Sequence, residues 1–162
     1  MKKYIPSILV VNLILVLCYM TYAIVSKEKI LRTGDLVLLE LSPVDPRSLM
    51  QGDYMDLRYR IADSIDVERI PRRGYCIVRM DSTGIAHRIR FQERLTPLGP
   101  AEYAIAYSSP DTWRIIIGAE SFFFEEGQAN KYALAKYGAL RVDTLGNSLL
   151  VGLYDAHRMP IR

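Results

Sequence analysis

Three carboxylates, Glu120, Glu125 and Glu126, flank the aromatic run Phe122-Phe123-Phe124. Paired carboxylates perform acid/base chemistry when their surroundings hold their pKa values apart. Nothing in the local residue types sets such a separation, and Glu126 has a simpler use facing the positive end of the helix that follows it. The two histidines, His87 and His157, stand seventy residues apart with neither cysteine near them, so no zinc-ligand spacing exists and no metal is expected. Glu126-Gly127-Gln128 lacks the repeated glycines and the Lys-Ser/Thr of a phosphate loop, so no cofactor is expected either. Asp81-Ser82-Thr83-Gly84 has the spacing of a hairpin turn. Ser48 has no general base to activate it, because no lysine occurs between Lys29 and Lys131. No catalytic residue is assigned, and the chain reads as a non-enzyme.

The most distinctive spacing is Gly52-Asp53-Tyr54-Met55-Asp56-Leu57-Arg58-Tyr59. Gly52 permits a turn conformation closed to other residues, and Asp53 can bond its own backbone on entry to a strand. From Met55 to Ile61 apolar and charged residues alternate, which places Met55, Leu57, Tyr59 and Ile61 on a packed face and Asp56, Arg58 and Arg60 in solvent. Gly52, Asp53, Tyr54, Leu57 and Tyr59 are thus first of all a turn-into-strand device. A binding role falls to Arg47, Asp53, Tyr54 and Arg58, together with Glu120, because an exposed tyrosine beside arginine holds an anionic or peptide partner.

The elements that must position these residues are mostly strands. Asp35 to Leu41 reads as a buried strand, ended by Pro43 and Pro46, which cannot donate to a ladder. Gly74 to Met80 leads through Asp81-x-x-Gly84 into a strand to Phe91, and Ala139 to Val142 leads through Asp143-x-x-Gly146 into a strand to Tyr154. Both read as hairpins. Trp113 to Gly118 and Glu120 to Phe124 are strand-like, and Gln128 to Tyr137 is the one good helix, with Gly138 as its stop. The fold class is mainly β, an antiparallel sandwich or small barrel with one short helix, preceded by one transmembrane helix.

That first helix comes from Ile5 to Val25, an uncharged run interrupted only by Pro6, Ser7, Asn12 and Thr21 and long enough to cross roughly 30 Å of hydrocarbon. It exceeds a cleaved signal peptide's apolar core, and Thr21-Tyr22-Ala23 makes a poor cleavage site. Residues 1–26 form the anchor, 27–34 a stalk and 35–162 one domain. Lys2 and Lys3 ahead of the run favour a cytoplasmic N-terminus with the domain outside, which in a bacterium with two membranes is an inner-membrane protein with a periplasmic domain. Beyond the anchor 19 of the 21 basic groups remain against 18 acidic ones, a balance that offers no cationic field for nucleic acid.

With its five defining positions at Gly52, Asp53, Tyr54, Leu57 and Tyr59, the chain resembles the GDYXXLXY family of bacterial membrane-anchored proteins. Asp45-Pro46-Arg47-Ser48-Leu49, Glu126-Gly127 and the apolar N-terminus extend the resemblance over most of the chain. It implies no defined activity; genes of such proteins often lie beside one for a multi-spanning membrane protein. A membrane anchor, a serine and Gly-Asp before a strand also resembles type I signal peptidases, but Ser48 stands too close to Gly52 and lacks the lysine. The expected function is a membrane-anchored extracytoplasmic accessory protein whose partners are the lipid bilayer and an integral membrane protein. The alternatives are an envelope hydrolase or a ligand-binding sensor built around the motif.

Overall fold

The structure is a computed structural model that describes residues 5–42, 54–63, 70–110, 114–125 and 127–162. The apolar run forms one continuous helix, α1 (Ile5–Thr33), which carries the stalk with it. No part of its apolar stretch is buried against the rest of the protein, and it is long and apolar enough to cross a membrane. Only at its last turns does it meet the fold. Ile30 is buried, and Gly34 ends the helix with its N–H donating to the Ile30 carbonyl (2.9 Å).

Strands follow in the order β1 (Asp35–Glu40), β2 (Tyr54–Asp56), β3 (Arg73–Met80), β4 (Ile85–Gln92), β5 (Glu102–Ser108), β6 (Ser121–Phe123), β7 (Tyr137–Val142) and β8 (Ser148–Tyr154), with a single helical turn, α2 (Ala129–Tyr132), before β7. Six of them form one sheet in the order β5-β3-β4-β1-β7-β8, while β2 and β6 pair in a small second sheet. The large sheet does not close into a barrel. It is mixed rather than purely antiparallel, because β1 and β4 run parallel over Leu38↔Ile85 and Leu39↔Ala86.

Both Asp-x-x-Gly hairpins form as the sequence predicts. Gly84 and Gly146 share φ +85°, and each aspartate accepts backbone N–H groups across its turn, Asp81 from Thr83 (2.7 Å) and Asp143 from Leu145 (2.9 Å) and Asn147 (2.8 Å). Two expectations are corrected and one strand is added. The helix proposed over Gln128–Tyr137 is one turn only, because Tyr137 and Gly138 pair with Glu40 and Leu39 in the middle of the sheet. Strand β5, rich in alanine and unassigned from sequence, exists because it pairs with β3 from Arg73↔Ser108 to Arg79↔Glu102. Of the strand expected over Trp113–Gly118, Trp113 lies outside the described residues, Ile116 makes one bridge to Ser108, and Gly118 turns the chain at φ +79°.

The core lies between one face of the large sheet and the segments that cover it. Val37 and Leu39 of β1, Cys76 and Val78 of β3, Ile105 of β5 and Leu140 of β7 point inward. Met55, Leu57, Tyr59, Ile61, Ile115 and Ile117 close over them. Burying each such aliphatic side chain contributes about 1.5–3 kcal/mol relative to leaving it in water.

Candidate functional site

The motif segment leaves β2 at Asp56 and runs on in extended form to a 3-10 turn at Arg60–Ala62. The alternation read from sequence holds residue by residue. Met55, Leu57, Tyr59 and Ile61 are buried, whereas Asp56, Arg58 and Arg60 are exposed. One edge of the segment is tied to the two residues that follow β1, through the Leu41↔Tyr59 bridge and the Ser42 N–H to Arg58 carbonyl bond (2.8 Å).

Tyr59 is the keystone of this arrangement. Its ring lies so close to Gly138 of β7 that a Cβ added there would stand 2.8 Å from the ring edge, and its hydroxyl donates to the Ala119 carbonyl at 2.6 Å. Burial, and then the charge of Glu120, push the phenol well above its ordinary range, so it stays neutral. Leu57 ties down the next residue along, its N–H donating to the Glu120 carbonyl (2.6 Å). The Glu120 carboxylate then accepts the N–H of Ile117 at 2.5 Å, across the turn that Gly118 makes.

Between the motif segment and residues 114–120 lies a cleft of about 770 Å³. Ile61, Ile115 and Ile117 contribute apolar surface to it; Asp56, Arg58 and Glu120 contribute charge. At one end Asp63 accepts the hydroxyl of Ser42 (2.6 Å), and Arg88 donates to the carbonyls of Ile61 and Asp63 (2.9 Å to the latter). Arg88 is a site neighbour the sequence reading missed. Its position follows from a bulge between β3 and β4, where Ile77 opposes Arg90 and Val78 opposes Arg88, and strand alternation alone does not reveal such a shift.

Of the residues nominated for binding, the structure brings Arg58 and Glu120 to this one cleft. Arg47 and Asp53 lie outside the described residues, as does Gly52. Tyr54 opens β2 opposite Phe123. Among the described residues no group of three or more His, Cys, Asp or Glu is arranged to hold a metal ion.

A second polar cluster, also unforeseen, holds the loop between β4 and β5. Glu102, with its side chain only 3% exposed, pairs with Arg90 (2.9 Å) and Arg79 (2.9 Å) and accepts the Gly99 N–H (2.8 Å). Arg90, the Gly99 N–H and Arg79 hold its carboxyl down to about 2.

Fold and motif together define a β-rich domain carried on one long apolar helix and closed by a buried Leu-x-Tyr pair. A family model described as GDYXXLXY protein matches residues 16–153, and the chain belongs to that family. No curated protein and no solved structure matches it.

Proposed function

We propose that this chain is a single-pass membrane protein, N-terminus inside, whose extracytoplasmic domain serves as an accessory subunit of an integral membrane protein. The observation that carries the reading is the joint between α1 and the sheet. The apolar helix runs without a break from Ile5 to Thr33 and enters β1 one residue later. At that joint Ile30 is buried, and Arg141 donates to the Gly34 carbonyl at 2.7 Å. A stiff connection of this kind holds the domain at one height and angle over the bilayer, which suits a fixed contact with a neighbouring membrane protein better than free search by a tethered enzyme. Lys2 and Lys3 supply the cytoplasmic charge that the orientation requires.

Affinity isolation of the full-length protein in mild detergent tests this. A multi-spanning protein recovered in stable ratio supports it, provided recovery is lost when α1 is replaced by an unrelated apolar helix. Recovery of the chain alone as a monomer overturns it.

The cleft favours a second reading, as a ligand-binding module. Arg58 is exposed on its wall, which makes its guanidinium available to an anionic group. Arg58→Ala then lowers affinity for peptide ligands with no change in Tm. The hydrolase reading draws no such support, since the Glu120 carboxylate is engaged by the Ile117 N–H.

A further inference from the structure

We propose that the turn between β7 and β8 is a second, shallow contact with the bilayer, with Leu145 resting in the phospholipid headgroup layer beside the anchor. This rests on the reading of α1 as a membrane span.

Three observations converge on that turn. The first is its place. Val142, the last residue of β7, lies opposite Asp35, the first of β1, so residues 143–147 extend past the start of β1 at the end where the helix enters, alongside β5 of the curled sheet. The end of α1 packs against β7 and β8. Among its last turns only Ile30 is buried, with Lys27, Lys29 and Leu31 exposed. The helix therefore leaves the fold at this corner and does not lie back across the sheet.

The second is the residue at the apex. The two Asp-x-x-Gly turns have the same backbone, with glycine at φ +85° in each. The turn at Asp81 carries Ser82 and Thr83 at its apex and lies level with Leu38, whose N–H donates to the Gly84 carbonyl (3.3 Å). The turn at Asp143, three residues nearer the helix along β1, carries Thr144 and Leu145. The hydrogen bonding of the turn does not call for leucine, and Leu145 is 63% exposed, too far from the core to be part of it. Such a side chain is favoured where the medium beside it is not water.

The third is height. A span of about 20 residues uses the hydrocarbon thickness, and the eight residues from Ser26 to Thr33 then rise roughly 12 Å further at about 1.5 Å each. From Val142 to the tip of the turn the chain returns by about 6 Å, less than three extended residues would, because the Gly146 N–H closes the turn on the Asp143 carbonyl (3.1 Å). Leu145 thus falls within the interfacial layer. Lys27 and Lys29 on the adjoining turn of helix reach lipid phosphates at the same depth. The turn is firm enough to hold this position, because the Gly146 carbonyl accepts the Ala106 N–H (2.8 Å) and the Tyr75 ring lies against Gly146.

The test uses the full chain in nanodiscs of phosphatidylethanolamine and phosphatidylglycerol, in a Cys18→Ser background. Cys76 is fully buried and its thiol is pushed up to about 12, so it takes no label. A fluorophore is attached at Val16→Cys, Leu145→Cys or Ser82→Cys, and lipids brominated along their acyl chains are introduced. The expected result is strong loss of fluorescence at position 16, partial loss at 145 and none at 82. Quenching at 16 with none at 145 overturns the second contact and leaves the anchor reading intact. No quenching at 16 overturns both.

Discussion

Replacing Tyr59 by phenylalanine isolates one atom of the motif. The ring keeps its place against Gly138, so packing is unchanged, while the Ala119 carbonyl loses its 2.6 Å donor in a buried setting. A lost neutral hydrogen bond with its acceptor left unsatisfied costs about 2 kcal/mol. For a domain of this size that is a fall of roughly 6 °C in Tm. The pH dependence sharpens the test. In the unfolded chain the phenol ionises near pH 10, whereas in the folded protein burial and Glu120 keep it protonated well beyond that. Above about pH 10 the unfolded state therefore binds fewer protons than the folded one, and the wild type loses stability at about 1.4 kcal/mol per pH unit through this residue. Tyr59→Phe has no such loss, so the two proteins converge as pH rises and meet near pH 11.5, about 1.5 units above the unfolded pKa. Circular-dichroism melts of both full-length proteins in one detergent, from neutral to alkaline pH, measure the gap directly. A gap under about 0.5 kcal/mol at neutral pH, or one that stays constant through pH 11, would refute the view of Tyr59 as a buried brace.

Three further outcomes are expected. Glu102 has a folded pKa near 2 against 4.5 unperturbed, so the stability it contributes is present above about pH 4.5 and lost as pH falls towards 2. Glu102→Gln accordingly melts below the wild type at neutral pH and together with it near pH 2. In Gly34→Ala the new Cβ stands 2.6 Å from the Ile30 carbonyl and 3.1 Å from the backbone of Val142. Because these are main-chain atoms the overpacking costs about 1–3 kcal/mol, read as a lower Tm. Glu120→Ala leaves the Ile117 N–H without its acceptor and destabilises by about 1–3 kcal/mol, while Glu120→Gln, whose amide oxygen still accepts, recovers part of that in the same melt. A catalytic carboxylate would instead lose its activity in both variants.

The GDYXXLXY pattern carries little chemistry of its own among the described residues. Leu57 and Tyr59 sit inside, and through Ala119, Glu120 and Gly138 they join the covering segments to the middle of the sheet. What remains for function on this segment is the outward set, Asp56 and Arg58, on the cleft wall. The same division between inward braces and outward charge explains how one short motif marks a family without naming an activity.

Local chemistry was legible in the residues. The apolar helix, β1, the two Asp-x-x-Gly hairpins and the inward set Met55, Leu57, Tyr59 and Ile61 each follow from a pattern a few residues long, whether uncharged length, turn chemistry or period-two alternation. Gly138 shows where that kind of reading stops. It looks like a helix stop after Ala129, Ala133 and Tyr137, yet it lies in a central strand because Leu39 pairs with it and the Tyr59 ring needs the space a side chain would fill. Strand β5, the parallel meeting of β1 with β4, the bulge that turns Arg88 towards the motif, and the pairing of Glu102 with Arg79 and Arg90 were likewise decided only in the folded chain. Each depends on partners many residues away, and pairing across a sheet is governed by which edge is free to accept a neighbour, a property of the assembled core that no window of sequence contains.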